Sequence, residues 1–357
     1  MERRDAFQLY VDYLLAGTTK ATATGLSAAL DEQIKHDYIS DCLNQDVLGN
    51  KALWKEIKSL VRRVESQEGY LSIDDVIVEK PHSTVNEIIN YHFDHTKGKS
   101  VKGINILNFL LTSPFKGQDI NLPLAFHIIH KTEKVEDKDG KVKMKSKQTK
   151  NEIMRDQLHR VVFLNKVLFK YVLFDIWFSA SENLKYIHQK LKKSFICPLK
   201  TNRLIALSLE DKMAGKFIRI SDVKIENSQV IQVYVKGLDF PVSLVKQVFI
   251  NKDHSTAELF LITNDTNIDH QKITTIYQKR WKVEECHKSL KQNTLLGKSP
   301  TKMETTQSNH IFASMLAFIK LERLKIKERL NHFALKAKLY LRSIQAAMTE
   351  LHAMQKT

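Results

Sequence analysis

Acidic residues interrupt two apolar segments of this sequence. Adjacent Asp74 and Asp75 lie in LSIDDVIV, and Asp175 lies in YVLFDIWF. A buried carboxylate without a partner is costly, so each position requires a cation or strong hydrogen-bond donors. Carboxylate oxygens are the ligands that hard divalent cations such as Mg²⁺ prefer. These residues are therefore candidates for metal binding, and the alternative for Asp175 is a cap on the helix after its strand.

A further carboxylate lies on a predicted helix over Tyr277 to Lys291, whose sequence is YQKRWKVEECHKSLK. At 100° per residue, one face about 80° wide collects five polar residues: Tyr277, Arg280, Glu284, Lys288 and Lys291. Glu285 points away from this polar column, and the apolar residues gather on the opposite side, where they are predicted to pack. The simplest alternative is a solvated face with an ordinary ion pair between Arg280 and Glu284.

The spacing of this column resembles a known motif. The pattern Y-x2-R-x3-E-x6-K, formed by Tyr277, Arg280, Glu284 and Lys291, resembles the Y-R-E-K signature of cut-and-paste transposases of the insertion sequence four family. The resemblance covers about residues 70 to 320. It implies that the glutamate is the third acid of an Asp-Asp-Glu triad, and that the tyrosine, arginine and lysine contact phosphates of the transposon end. Lys288 shares their face and is predicted to be an additional phosphate contact.

The implied triad combines Glu284 and Asp175 with one of the two adjacent aspartates, as catalytic residues and as metal ligands. We favour Asp75, with Asp74 as the alternative, because the family places this acid near the end of the first strand. Val76 departs from the Asp-Asp-Thr form that is common there. The implied cofactor is a pair of Mg²⁺ ions, with Mn²⁺ as a substitute, roughly 4 Å apart and clamping the scissile phosphate.

The resemblance predicts a DNA transposase that cuts transposon ends and joins the resulting 3′-OH ends to target DNA. Its partners would be double-stranded DNA at the terminal inverted repeats, the target DNA and a second copy of the chain in a synaptic complex. Two other functions stay open: a structure-selective, metal-dependent nuclease, and a non-catalytic DNA-binding protein derived from a transposase. The polar column disfavours the nuclease, and the intact acids disfavour the non-catalytic protein.

The elements that must position these residues follow from periodicity. The predicted order is helices, three strands, helix, strand, helix, strand, a β-rich segment and long helices. Three consecutive strands followed by alternating helices and strands are typical of a mixed α/β sheet of ribonuclease-H type. The acids fall in strands predicted at 71–78 and 171–175, and the stretch from Asn309 to Met354 is predicted to be helical throughout.

This order predicts four regions. Residues 1–68 form a helical N-terminal domain that is expected to bind DNA. Residues 69–199 and 258–305 form the ribonuclease-H-like catalytic domain. Residues 200–257 are a β-rich insertion, to which the resemblance assigns contacts with the DNA end. Residues 306–357 form a helical C-terminal region.

Composition excludes several classes of protein. The 357 residues include 56 Lys and Arg against 40 Asp and Glu, a net charge of +16, which favours a polyanionic partner such as nucleic acid. The three cysteines are too far apart for C-x-x-C motifs and fit a reducing compartment. Charges interrupt the most apolar segment, residues 161–178, so no membrane span is predicted. We therefore expect a prokaryotic cytoplasmic protein associated with the nucleoid.

Three further features have ordinary structural explanations. The charged residues 131–150 are predicted to form a solvated flap or hairpin that turns at Asp139-Gly140. The pattern HFDH from His92 to His95 looks like a metal site but has no evident third ligand, so loop or surface histidines are favoured. Trp281 could stack on a DNA base, but packing in the core is favoured.

Overall fold

The structure, a computed structural model, describes residues 2–95, 97–136, 140, 142–226, 228–250 and 256–355. One half of the predicted turn at Asp139-Gly140, Asp139, lies outside these residues. The chain is a mixed α/β protein built around one large sheet. No described helix combines the length and apolar character needed to cross a membrane.

Helices and strands alternate much as the periodicity predicts. The helices are α1 Arg3–Ala16, α2 Ala23–Ala29, α3 His36–Leu43, α4 Asn50–Val64, α5 Lys150–His159, α6 Ser181–Lys185, α7 Leu209–Met213, α8 His270–Gln278, α9 Trp281–Asn293, α10 Glu304–Glu328 and α11 His332–Met354. The strands are β1 Tyr70–Glu79, β2 Asn90–Asp94, β3 Lys99–Phe115, β4 Gln118–Ile128, β5 Glu133–Glu136, β6 Val142–Lys145, β7 Tyr171–Phe174, β8 Ser194–Leu199, β9 Leu204–Ala206, β10 Ile218–Arg219, β11 Val230–Val235, β12 Val242–Ile250 and β13 Thr256–Thr263.

The main sheet places β1 third from one end, between β7 and β3. Its strand order is β10-β9-β11-β12-β13-β8-β7-β1-β3-β2, and β4 also pairs with β3. β1 is antiparallel to β3 and parallel to β7, which is parallel to β8. The length of β3 lets it pair with β1 along one edge and with both β2 and β4 along the other.

The β-rich segment extends this sheet. β13 pairs with β8, β12 with β13 and β11 with β12, all antiparallel. Buried apolar residues such as Val233, Val242 and Leu244 connect this region to the main hydrophobic cluster. The region predicted at 200–257 is therefore β-rich, and its strands are hydrogen-bonded in one sheet with β7 and β1.

Helix α10 organises the other half of the core. It is buried along most of its length because α1, α3, α4 and β4 pack around it. Residues 1–68, predicted to be helical, contain the four helices α1 to α4. Their apolar residues belong to the same hydrophobic cluster as those of β1 and α10.

Two predicted helices are divided in the structure. The helix predicted from Tyr277 to Lys291 ends at Gln278 and starts again at Trp281. Between them the Arg280 amide donates to the Tyr277 carbonyl at 2.9 Å, a tighter three-residue turn that keeps right-handed dihedral angles. The C-terminal stretch is likewise interrupted, because Arg329 adopts a left-handed φ of 60° and the Asn331 side chain caps α11.

Candidate active site

The parallel pairing of β1 and β7 brings two acids together at the carboxyl end of β7. Ile73 is the last residue of β1 in register with β7, opposite Phe174. The next residues along the two chains are Asp74 and Asp175. Side chains at matching positions of paired strands point to the same face. Asp74 and Asp175 therefore point to the same face of the sheet at the carboxyl end of β7.

Burial and the nearby negative charges raise the pKa values of these carboxylates. Burial raises the pKa of Asp74 to about 7, and the charges of Asp75 and Asp175 add to the rise while Arg280 opposes it. Burial also raises the pKa of Asp175, against the Trp177 backbone N–H that favours the ionised form. Neighbouring carboxylates that resist ionisation are a donor set that a cation would stabilise.

Asp175 also caps the turn that follows β7. Its Oδ1 accepts a hydrogen bond from the Trp177 amide at 2.9 Å, and a single 3₁₀ turn runs from Ile176 to Phe178. The capping role considered from the sequence is therefore present, on a short turn rather than on α6. It occupies one carboxylate oxygen of a side chain that still lines the cavity described below.

Arg280 connects Asp74 on β1 to Glu284 on α9. Its Nη2 donates to Glu284 Oε1 at 2.7 Å, and its Nη1 lies 3.7 Å from Asp74 Oδ2. The guanidinium also lies over the Tyr277 ring, 5.8 Å from the centroid, and only 16% of the side chain is exposed. One guanidinium thus neutralises carboxylates from β1 and α9, and it holds Glu284 on the same side of the sheet as Asp74.

Asp75 has different partners from its neighbour. Its Oδ2 accepts from Asn105 Nδ2 at 2.6 Å and from Lys150 Nζ at 2.8 Å. Side chains alternate along a strand, so Asp74 and Asp75 point to opposite faces. The structure therefore places Asp74 beside Asp175 and Arg280, whereas the sequence favoured Asp75. Position within a strand does not reveal the face to which a residue points, and that was the basis of the preference.

A cavity of about 600 Å³ lies over the carboxyl end of β7 and the adjacent part of β1. The four acids that the sequence singled out all line it: Asp74, Asp75, Asp175 and Glu284. Lys288 and Lys291, both exposed on α9, line the same cavity. The structure therefore brings together residues that are separated by about a hundred positions between β1 and β7, and again between β7 and α9.

Tyr277 lies apart from the other members of the polar column. It packs against a small apolar cluster that includes Leu261 and Ile273, and burial raises the pKa of its hydroxyl. Its ring lies beneath the Arg280 guanidinium, which is its contact with the rest of the column. The tight turn at Arg280 explains part of this difference, because the column was predicted on one continuous helix.

No described group of three or more His, Cys, Asp or Glu side chains is close enough to hold a metal ion as the side chains stand. Arg280 contacts both Asp74 and Glu284, and so takes the place of a shared cation. The donor set nevertheless fits a hard divalent cation, because it consists of carboxylates, and two of them, Asp74 and Asp175, have raised pKa values.

A buried polar pair that the sequence reasoning missed fixes α9 to the sheet. Asn108 Nδ2 lies 2.9 Å from His287 Nε2, and Asn108 is opposite Asp74 in the β1–β3 register. Burial lowers the pKa of His287 to about 3, so the neutral ring accepts this hydrogen bond. Asparagines inside the apolar run of β3 were the available signal, for Asn108 and for the Asn105 that holds Asp75.

Two of the smaller sequence interpretations are wrong. Trp281, for which core packing was favoured, is 58% exposed beside the column. His92, expected in a loop or at the surface, is buried on β2, while His95 is exposed beyond the end of that strand. The predicted hairpin in residues 131–150 is present as the antiparallel pair β5–β6.

Comparisons with known proteins identify the family of this chain. A family model for the DDE superfamily endonuclease matches residues 1–207, and one for the transposase DDE domain matches residues 123–319. No curated protein matches the sequence. A solved structure, the Drosophila P element transposase strand transfer complex, aligns with a TM-score of 0.29 and 10% identity over 53% of this chain. The alignment spans 36% of that protein, just over a third of its length. Because each family model covers more than half of the sequence, the chain belongs to the DDE superfamily of transposases and endonucleases.

Proposed function

We propose that this chain is a cut-and-paste transposase of the insertion sequence four type, with Asp175, Glu284 and Asp74 as its catalytic acids. The observation that carries the proposal is the meeting of three acids at the carboxyl end of β7. Asp74 and Asp175 lie at matching positions of the parallel pair β1–β7, and Arg280 contacts both Glu284 and Asp74. Asp75 lines the same cavity and stays the alternative first acid.

The order of the central strands supports a ribonuclease-H-like core. β4, β3 and β1 form an antiparallel meander, and β7 and β8 follow on the other side of β1, parallel to it. This arrangement places the acids of β1 and β7 on neighbouring strands. The strands between β8 and α8 then extend the sheet as the proposed insertion.

The acids would hold divalent cations, Mg²⁺ or Mn²⁺. Such ions stabilise both the attacking and the leaving oxygen of a phosphoryl transfer. Asp74 and Asp175 contribute carboxylates from a rigid sheet, and Glu284 contributes one from a helix that the Asn108–His287 pair holds in place. Arg280 donates to Glu284 Oε1, so the carboxylate would bind a cation through Oε2 or after the guanidinium has moved to a DNA phosphate.

The remaining residues of the column suit a polyanion. Lys288 and Lys291 are exposed along α9 beside the acids and would neutralise phosphates of a DNA strand that enters the cavity. Tyr277 would act by supporting Arg280 from below. The partners proposed from the resemblance are the terminal inverted repeats, target DNA and a second copy of the chain, with action at the bacterial nucleoid.

The glutamate provides the sharpest test. Glu284→Gln should lower Mg²⁺-dependent nicking of a duplex carrying the inverted repeats that flank the gene by at least about 10³-fold. Binding of the same duplex in EDTA should stay within about twofold, because the carboxylate serves the metal and not the DNA. The matched control is Glu285→Gln, whose carboxylate faces outward to Lys282 at 2.9 Å and should change neither measurement.

Loss of binding together with nicking would show that Glu284 has a structural role. A second measurement separates the transposase from the nuclease alternative. A duplex with a pre-formed 3′-OH end is incubated with plasmid and Mg²⁺, and joined products are counted. Joining supports the transposase, whereas hydrolysis without joining supports the metal-dependent nuclease.

A further inference from the structure

A second cavity, of about 370 Å³, lies on the Lys150 side of β1. Its walls come from β2, from the loop before β5, from the end of the β5–β6 hairpin and from the first turn of α5. Its polar lining includes three lysines and a buried histidine: Lys131, Lys145, Lys150 and His92.

Positive charge is concentrated in this cavity. Burial lowers the pKa of Lys131, and the positive charge of Lys150 lowers it further. Burial also lowers the pKa of His92, with Lys131 and Lys150 as the next causes. Lys131 on the loop before β5 and Lys150 on α5 therefore lie close enough to His92 on β2 for their charges to act on it. Asp75 counters them and holds Lys150 at 2.8 Å.

His92 supplies an independent observation. Its side chain is buried, with 7% of the residue exposed, and it lines the cavity. Within the described part of the chain its Nε2 has no hydrogen-bond partner. A buried polar atom without a partner is uncommon and costs free energy, so a ligand that reaches it would be stabilised there.

We propose that this cavity, here called the hairpin pocket, binds a phosphate group of DNA. An anion would relieve the repulsion between Lys131 and Lys150, and the lysine ammonium groups are strong donors to phosphate oxygens. An anion beside His92 would also favour the protonated ring against its burial, and in that form Nε2 is a donor. The inference deepens the proposed function, because it adds a phosphate contact on the side of the acids away from α9.

The position of the hairpin pocket explains what such a contact would do. Lys150 lines the pocket and is ion-paired with Asp75, which lines the acidic cavity. A phosphate held here would therefore lie next to the acids, across them from Lys288 and Lys291. DNA would be held from two sides, by α9 and by the β5–β6 hairpin.

Two sources could provide the phosphate: an internal phosphodiester, or the terminal 5′-phosphate that strand cleavage leaves. The test compares Lys131→Ala/Lys145→Ala with Lys134→Ala/Lys147→Ala. The control pair removes two charges from the same hairpin region, at residues outside the pocket lining. Fluorescence anisotropy measures duplex binding in EDTA across a KCl series, once with 5′-OH ends and once with 5′-phosphate ends.

The pocket variant should lower the slope of log K against log salt by about 0.9 for each lost contact, or about 1.8 in total. The control pair should change the slope by less than half of that. An effect on both duplexes assigns the pocket to the DNA backbone, and an effect confined to the 5′-phosphate duplex assigns it to the cleaved end. Equal changes in both variants, or no change in either, would overturn the proposal.

Two additions keep the test decisive. If the alanine pair unfolds at a lower temperature than the wild type, Lys131→Gln/Lys145→Gln replaces it, because glutamine retains most of the side-chain length. Because the assay contains no divalent cation, its outcome does not depend on catalysis. A chain that binds DNA through the pocket but never nicks it would contradict the proposed function and leave the pocket intact.

Discussion

The adjacent aspartates of β1 have different partners on the two faces of the strand. On one face, Asp74 shares the guanidinium of Arg280 with Glu284, lies beside Asp175 and has a pKa raised to about 7. On the other face, Asp75 accepts short hydrogen bonds from Asn105 and Lys150. The two residues have the same chemistry and neighbouring backbone positions, so tertiary contacts alone separate them.

The difference shows which carboxylate has a charge that its protein partners compensate only in part. Asp75 has a dedicated cation and an amide donor, and a further cation would compete with both. The ion pair of Asp74 with Arg280 is longer, 3.7 Å, and that guanidinium also serves Glu284 at 2.7 Å. A buried carboxylate with a partial partner gains more from a metal ion than one whose charge is already compensated.

The largest expected effect separates the two aspartates by activity. Asp74→Asn should lower Mg²⁺-dependent nicking by at least about 10³-fold, because the amide removes an anionic ligand beside Asp175. Asp75→Asn should keep measurable activity, because that side chain mainly anchors Lys150 and Asn105. Nicking rates of the two variants on one duplex, with circular dichroism to confirm folding, make the comparison.

The reverse order of the two activities would restore Asp75 as the first catalytic acid. In that case Lys150 would have to release Asp75 before a metal ion binds. Loss of activity in both variants with folding intact would mean that both aspartates serve the metal site, one on each face of the strand.

The next effect concerns stability and pH. The folded-state pKa of Asp74 is raised from 3.8 to about 7, so its ionisation opposes folding. The free energy of unfolding should therefore fall as pH rises from about 4 to about 7, by up to about 1.4 kcal/mol per pH unit. Without metal, Asp74→Asn should be more stable than the wild type by roughly 2 to 4 kcal/mol at pH 8, and nearly equal to it at about pH 4.

Urea unfolding in EDTA at the two pH values measures this difference. Asp75→Asn is the matched control and should be destabilised at pH 8, because it leaves Lys150 without its ion pair. A stability gain for Asp74→Asn that is the same at both pH values would mean that its ionisation is not the cause. Mg²⁺ should stabilise the wild type more at pH 8 than at the lower pH, because the ion binds the deprotonated carboxylate.

The smallest effects are on the salt dependence of DNA binding. Lys291→Ala and Arg280→Ala should each weaken end binding and lower the slope of log K against log salt by about 0.9. Arg280→Ala should lose more affinity, because a guanidinium can grip a phosphate with two hydrogen bonds. Lys282→Ala, which removes a charge paired with Glu285 on the same helix, serves as the control.

An unchanged slope for Arg280→Ala would show that Arg280 only pairs with carboxylates. The observed contact with Glu284 at 2.7 Å is the helical ion pair considered from the sequence, and such a pair contributes only about 0.2 to 0.5 kcal/mol when exposed. The additional contact with Asp74 distinguishes the structure from that simple case, because it connects α9 to a different element.

Much of the architecture was predictable because it depends on local patterns. Apolar runs located β1, β3, β4 and β7, and the spacing of polar residues located the column on α8 and α9. Asp175 and Glu284 were candidates because a carboxylate in an apolar strand and a one-sided polar helix face are visible without any tertiary information. The role of Glu284 as a third acid came from the resemblance to the Y-R-E-K signature.

The contacts between distant elements required the tertiary structure. The parallel register of β1 and β7, which puts Asp74 and Asp175 at matching positions, depends on a strand pair separated by about a hundred residues. The burial of His92, the exposure of Trp281 and the continuation of the sheet into the β-rich segment are similarly set by long-range packing.

The sequence by itself therefore determined which residue types lie on which elements. The tertiary structure decided which face each residue occupies and which partners share its charge. The physical reason is that side-chain direction reverses at each step along a strand, so one residue of register exchanges the partners of Asp74 and Asp75. The pairing of β1 with β7, and the packing of α9 over β1 and β3, select one of these two arrangements.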